Sequence, residues 1–244
     1  MKGVLLAGGV GTRLMPCTRV TNKHLLPVYD RPMVYYPVST LVGAGIAEIM
    51  VITGREHMGA VMETLGSGRE FGAEFTYRIQ DQAGGIAEAL LLARAFVDTD
   101  NVAVILGDNI FEDTFAEDAR AFEFDGAAGQ AKVFLKKVPD PSRFGVATVH
   151  GDQVVGIKEK PALPESDLAI TGLYFYDCGV FDTLSSQTYS ERGELEISDT
   201  NNDYLARGLL TYRILDGFWS DAGTWPSLMR AARHCQGGNH GDGE

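Results

Sequence analysis

Leu6-Ala7-Gly8-Gly9-Val10-Gly11-Thr12-Arg13-Leu14-Met15-Pro16 continues directly from the apolar run Gly3-Val4-Leu5-Leu6, so a buried strand empties into a glycine-rich turn. Gly8, Gly9 and Gly11 are free to take positive φ, and a backbone without Cβ atoms can approach a ligand closely enough for successive N–H groups to face phosphate oxygens. Arg13 supplies a countercharge, and Lys23 in Asn22-Lys23-His24-Leu25-Leu26-Pro27 a second. An ordinary strand-to-helix turn explains the glycines alone; the two cations favour a polyanion. Neither common nucleotide loop fits, because no Lys-Ser/Thr comes after the last glycine and Leu14 stands where a dinucleotide fingerprint needs its third glycine.

Working outward, apolar runs at Gly3–Leu6, Glu48–Thr53, Glu74–Gln80 and Val102–Leu106 alternate with helix-like segments such as Ile86–Val97. That order predicts an α/β, Rossmann-like fold: a mixed, mostly parallel sheet with helices on both faces. Ligands of such sheets bind beyond the carboxyl ends of the strands, where the Gly8 loop, Gln80 and Gly107-Asp108-Asn109 fall. Shorter strands are expected at Lys132–Val138, Val146–Val149, Val154–Glu159 and Ala169–Tyr176, with helices at Thr200–Arg207 and Trp225–Arg233. The expectation is one domain over 1–235, with a nucleotide-binding half to about 130, a sugar-phosphate half from about 131, and a disordered tail over 236–244.

The 244 residues are 45% hydrophobic, enough for a sizeable core, and carry a formal charge of −12 that argues against a nucleic-acid partner. Positive charge nevertheless gathers at the loop: Lys2, Arg13, Arg19, Lys23 and Arg31 precede Pro37, against Asp30 alone. No apolar run approaches a bilayer span and no signal-peptide pattern precedes the glycine turn, so a soluble, cytoplasmic protein with no membrane partner is expected. Cys17, Cys178 and Cys235 are too scattered for a disulfide framework or a zinc site.

Asp108 closes the run Ala103-Val104-Ile105-Leu106-Gly107, where a carboxylate is costly unless it meets a cation. Asp221 in Trp219-Ser220-Asp221-Ala222-Gly223 is a second such acid. Each alone reads equally as a turn residue or helix cap. With a phosphate loop, the pair suits a hard divalent ion such as Mg²⁺ and a phosphoryl-type transfer. Lys158-Glu159-Lys160-Pro161 reads either as site charges or as a blunted sheet edge.

These motifs, with L-G-D-N, E-K-P, T-G-L-Y-F-Y-D and R-G-E-L-E-I-S-D in the same order, resemble the sugar-1-phosphate nucleotidylyltransferases over Lys2–Arg233. The resemblance is strongest to members that join dTTP and α-D-glucose 1-phosphate into dTDP-glucose and pyrophosphate. It implies that Leu6, Gly8, Gly9, Gly11, Thr12 and Arg13 cradle the nucleotide, that Gln80 and Gly85 read thymine, and that Lys23 binds phosphate at the reacting centre. It further implies that Asn109, Gly145, Glu159, Lys160, Ile170, Tyr174 and Trp219 contact the sugar phosphate, that Asp108 and Asp221 hold Mg²⁺, and that Arg13, Lys23, Asp108 and Asp221 are catalytic. A UTP- or CTP-using member, a glycosyltransferase and an inactive regulatory homologue are the rivals. The chain departs from the pattern at Lys158, where many members carry an acid, and it ends about one helical subdomain before the longer bacterial members. The feedback site that the resemblance would suggest between subunits is left open by this, as is the oligomeric state, a homo-oligomer being one option.

Overall fold

The computed structural model describes residues 1–82, 84–124, 130–190 and 192–238. Its strands, in chain order, are β1 (Lys2–Ala7), β2 (Pro27–Val28), β3 (Arg31–Pro32), β4 (Glu48–Gly54), β5 (Glu74–Gln80), β6 (Val102–Leu106) and β7 (Asn109–Phe111). They continue with β8 (Ala131–Lys137), β9 (Gly145–His150), β10 (Gln153–Glu159), β11 (Leu168–Tyr176), β12 (Leu210–Ile214) and β13 (Trp219–Asp221). The helices are α1 (Tyr35–Gly43), α2 (Met58–Leu65), α3 (Ile86–Leu91), α4 (Arg94–Val97), α5 (Ala116–Phe124), α6 (Val180–Ser186), α7 (Ile197–Ala206) and α8 (Trp225–Gly238).

Nine strands share one sheet in the order β10-β9-β11-β6-β1-β4-β5, with β8 beside β11 and β12 beside β8. β6, β1, β4 and β5 run parallel, which is why β1, β4 and β6 read as continuous apolar runs: both faces are covered. β11 pairs antiparallel with β6, β8 and β9, so strands from both halves of the sequence join one sheet. Side chains alternate between two cores. Val4, Met50, Val104 and Tyr174 pack with α3, α6 and α7 on one face, while Leu5, Val51, Ile105 and Phe175 pack with α1, α2 and α5 on the other.

A third, smaller cluster positions the site. Leu14, next to Arg13, and Ala222, next to Asp221, are buried together with Val28, Met33, Ile110, Leu228 and Ala231. Burying these apolar neighbours brings the turn after β1, the end of β13 and one face of α8 to a common place.

Three expectations need correction. The stretch 86–97 is two helices, because Leu92 and Ala93 donate to Ala89 and Leu90 in tight three-residue turns that break the α ladder. Helix α8 runs through Gln236, Gly237 and Gly238, which the sequence pattern alone assigns to a disordered tail; the rest of that tail, 239–244, lies outside the described residues. Strands β7, β12 and β13 go beyond the expected set, β7 and β13 being too short to carry a periodic signal. Among the described residues no helix is long and apolar enough to cross a membrane.

Candidate active site

The loop after β1 is built differently from the expectation in one respect. Gly11 alone of its three glycines is left-handed, at φ +67°, where it starts a short turn over Thr12–Leu14. Gly8 and Gly9 are instead closely approached by side chains: a Cβ on Gly8 would lie 3.0 Å from Gln80 Oε1, and one on Gly9 would lie 3.1 Å from Lys23 Cε, so a side chain at either position would push Gln80 or Lys23 aside. The Lys23 side chain thus runs beneath the loop. Asn22 fixes its direction by donating to the Ala7 carbonyl (3.1 Å) while its Oδ1 accepts from the His24 N–H (2.8 Å) and faces the His24 ring Nδ1 (2.7 Å).

Lys23 Nζ reaches Asp108, beyond the end of β6, at 2.5 Å. Burial by itself would raise the Asp108 pKa, but the Lys23 ammonium opposite and its hydrogen bond hold the carboxyl well below the usual carboxylate range. Asn109 ties the mouth of β6 to β11 and β13. Its Oδ1 accepts from Trp219 Nε1 (2.7 Å) and from the Gly172 N–H (2.9 Å), and its amide donates to Asp108 Oδ1 (3.0 Å). β13 lies antiparallel to β7 with Asp221 opposite Asn109, and the Ala222 N–H donates to the Asp108 carbonyl at 2.7 Å.

The two aspartates consequently converge. A Cβ on Gly223 would lie 3.2 Å from Arg13 Nη2, 3.2 Å from Asp108 Oδ2 and 3.4 Å from Asp221 Oδ2. Asp221 Oδ2 accepts from Arg143 Nη2 at 2.9 Å, whereas its Oδ1 is buried without a hydrogen-bond partner. Burial raises the Asp221 pKa; Arg143 opposes this and Asp108 adds to it. A buried, unsatisfied carboxylate oxygen beside a second carboxylate fits a hard divalent cation. No cluster of three or more metal-ligating side chains occurs among the described residues, so the other donors would come from substrate oxygens and water.

Asp108 belongs to two clefts. One, of about 310 Å³, is walled by all seven residues expected at the sugar phosphate: Asn109, Gly145, Glu159, Lys160, Ile170, Tyr174 and Trp219. There Glu159 Oε2 accepts from Ser198 Oγ at 2.5 Å, and Lys160 Nζ stands 3.4 Å from Glu159 Oε1. Lys160 adopts φ +41°, an uncommon backbone state for a lysine, at the point where the chain leaves β10. Lys158 is exposed and paired with Glu165, so the edge reading holds for it while Glu159 and Lys160 face the cleft.

The second cleft, of about 260 Å³, is lined by Leu6, Gly8, Gly9, Lys23, Gln80 and Gly85. It shares Asp108, Leu106 and Ile86 with the first. Gly11 and Thr12 line neither cleft; they build the turn that presents Arg13 to the first.

Residues 2–237 match a family model described as nucleotidyl transferase. The chain belongs to the nucleotidyl transferase family. Among relatives of this nucleotidyl transferase, the glucose-1-phosphate thymidylyltransferase of Neisseria meningitidis serogroup A is 46% identical over 243 residues, covering 97% of this chain and 83% of that protein. The protein of the same name from Mycolicibacterium smegmatis is 44% identical over 236 residues, 95% of this chain and 81% of that one. A Bacillus anthracis structure with sucrose, also named as a glucose-1-phosphate thymidylyltransferase, superimposes with a TM-score of 0.92 at 52% identity, covering 100% of this chain and 98% of that one. A UDP-glucose pyrophosphorylase solved with UDP-glucose shares the fold at a TM-score of 0.86 and 23% identity, over 98% and 99% of the two chains.

Several site residues of this nucleotidyl transferase escape a sequence reading. Arg143 and Phe144 line the first cleft from the turn before β9, and His24 and Glu194 line the second. Ser198 and Glu194 lie inside the run R-G-E-L-E-I-S-D, so the motif marks their neighbourhood although neither residue stands out within it. For Arg143 the signal is weak: a basic residue beside Phe-Gly after a proline-rich turn is commonplace.

Proposed function

We propose that the chain transfers the thymidylyl group of dTTP to α-D-glucose 1-phosphate, releasing pyrophosphate and forming dTDP-glucose. The observation that carries this reading is the wall common to both clefts, Asp108 with Leu106 and Ile86. On one side stand the glycine loop, Lys23 and Gln80; on the other stand Glu159, Lys160 and Trp219.

A sugar phosphate oxygen is already an anion at neutral pH, so the reaction needs no general base. The work is to bring two polyanions together and stabilise the charge that develops as the α-phosphorus is attacked in line. Gly8 and Gly9 seat the triphosphate against the backbone, and Arg13, which reaches the neighbourhood of Asp108 and Asp221 from the first cleft, stabilises the negative charge that develops on the phosphates. Lys23 lies where the α-phosphate meets its attacker and keeps Asp108 ionised. Lys160 binds the phosphate of the incoming sugar, while Glu159, oriented by Ser198, accepts from sugar hydroxyls. Asn109 holds Trp219 as the far wall of that cleft. Gln80 and Gly85 read the base. Mg²⁺ held by Asp108 and Asp221 would supply Lewis-acid polarisation of the phosphate oxygens and neutralise their charge.

Pyrophosphate release from a panel of nucleotides and sugar 1-phosphates tests the reading. Release with dTTP or UTP and glucose 1-phosphate supports it. Glycosyl transfer without pyrophosphate rejects it in favour of a glycosyltransferase.

A further inference from the structure

We propose that Lys136 is a positioning residue for this reaction: its ammonium sets the turn from which β13 delivers Trp219 and Asp221 to the cleft. The inference rests on the proposed roles of those two residues. Lys136 sits near the end of β8, half-buried, and donates to three consecutive carbonyls of the turn that leaves β12. The distances are 3.1 Å to Leu215, 2.9 Å to Asp216 and 2.6 Å to Gly217. Three carbonyl dipoles aimed at one point repel each other unless a cation stands there. An ammonium matches them donor for acceptor, and its charge strengthens each bond.

The same turn is held on its amide side by β7's continuation. The Gly217 N–H donates to Asp113 (2.9 Å) and the Phe218 N–H to Glu112 (2.6 Å), two acids just beyond the strand carrying Asn109. A Cβ on Gly217 would lie 2.7 Å from Asp113 Oδ2, so the close approach needs glycine. Phe218 then leads directly into Trp219, whose indole N–H is 2.7 Å from Asn109 Oδ1, and Asp221 pairs across from Asn109. Releasing the three carbonyls frees the turn to rotate, and that rotation displaces Trp219 and Asp221 relative to Asn109 and Asp108. The nucleotide loop shares none of these contacts.

The test uses the full chain carrying Trp225→Phe, which leaves Trp219 as the remaining one of the two tryptophans. Adding Lys136→Met should shift Trp219 emission to longer wavelength without substrate or metal present. It should also lower kcat by about tenfold and raise the KM for glucose 1-phosphate, while the KM for dTTP stays within about twofold. Lys136→Arg, which keeps the charge and several donors, should recover the emission and most of kcat. If Lys136→Met fails to fold, Lys136→Gln takes its place with the same expectations. Unchanged emission with unchanged kcat overturns the proposal, as does a loss in Lys136→Arg equal to that in Lys136→Met. If the reference protein releases no pyrophosphate from dTTP and glucose 1-phosphate, the reaction reading has failed, and the emission shift decides by itself whether Lys136 places Trp219.

Discussion

Lys23 and Asp108 are 85 positions apart in sequence, yet the ammonium and carboxylate meet at 2.5 Å, with side chains only 14% and 11% exposed. The contact joins the glycine-rich segment after β1 to the mouth of β6. Losing either partner would leave the other charge buried alone.

Lys23→Met should abolish most turnover and also destabilise the fold, because it leaves a buried carboxylate without its cation, a loss of about 3 kcal/mol. Asp108 has a depressed pKa, so its stabilising contribution is present above its ordinary value of 3.8 and disappears as pH falls through the folded value. Removing Lys23 removes that contribution, and adding Asp108→Asn should return part of the stability in a double-mutant cycle. A melting temperature for Lys23→Met within about 2 °C of wild type would count against a coupled pair.

Asp108→Asn and Asp221→Asn should each lower turnover by at least about 100-fold, the scale of one preorganised electrostatic contact. Their metal-free stabilities should diverge. Asp108 is stabilised as an anion by Lys23, whereas Asp221 has its pKa raised by burial and keeps an unpartnered oxygen. Neutralising Asp221 should therefore leave the melting temperature unchanged or higher, while neutralising Asp108 lowers it. Near-normal turnover of either variant at limiting Mg²⁺ would remove that residue from the proposed metal site.

His24 gives the protein an acid sensitivity. Burial first, and the adjacent Lys23 ammonium second, push its pKa from 6.5 down to about 3. Between those values the unfolded chain binds a proton that the folded chain refuses, so stability falls as pH drops below 6.5, by up to about 1.4 kcal/mol per unit from this group. His24→Gln should flatten the decline. Urea midpoints from neutral pH to about pH 5, taken for both proteins, check it; parallel slopes would show that His24 does not titrate in the unfolded state alone.

Thymine offers an N3–H donor beside its O4 acceptor, and the Gln80 amide can meet both. Gln80 Nε2 is only loosely engaged, at 3.5 Å from the Gly85 carbonyl and 3.5 Å from Glu88 Oε1, so it is available to a base. dUTP should be a fair substrate, within about 10- to 200-fold of dTTP, because one methyl group is all that separates them, and dCTP a poor one. Gln80→Glu should lose dTTP use, leaving O4 without a donor and setting a second carboxylate beside Glu88. The kcat/KM values for dTTP, dUTP and dCTP decide it. A Gln80→Glu protein that still prefers dTTP to dCTP would show that another group reads the base.

The sheet's framework is legible in the sequence because burial on both faces writes itself into local composition. β5 and β6 have the bounds that their runs predict, β4 and β11 are longer than theirs by one residue at one end, and β1 by one residue at each end. The loop glycines, Lys23, Asp108 and Asp221 are legible too, since a carboxylate or glycine at the end of an apolar run is locally conspicuous. Less legible is why each glycine is there. Gly11 answers both a left-handed backbone angle and the closeness of Lys23 and Thr18, while Gly8 and Gly9 face Gln80 and Lys23, positions that no local pattern contains.

By itself, then, the sequence determined the parallel half of the sheet, the anionic character of the ligand and the side chains available to meet it, because those arise from short-range burial pattern and charge. Only the tertiary structure decided which of them meet. Arg143 finds Asp221 across 78 positions, and Lys136 finds the carbonyls of Leu215–Gly217 across 79 to 81. Strands of three residues, such as β7 and β13, have no periodicity to announce them. They form because Asn109 can bind Trp219, Gly172 and Asp108 at once, a set of partners that exists only after the sheet has closed around them.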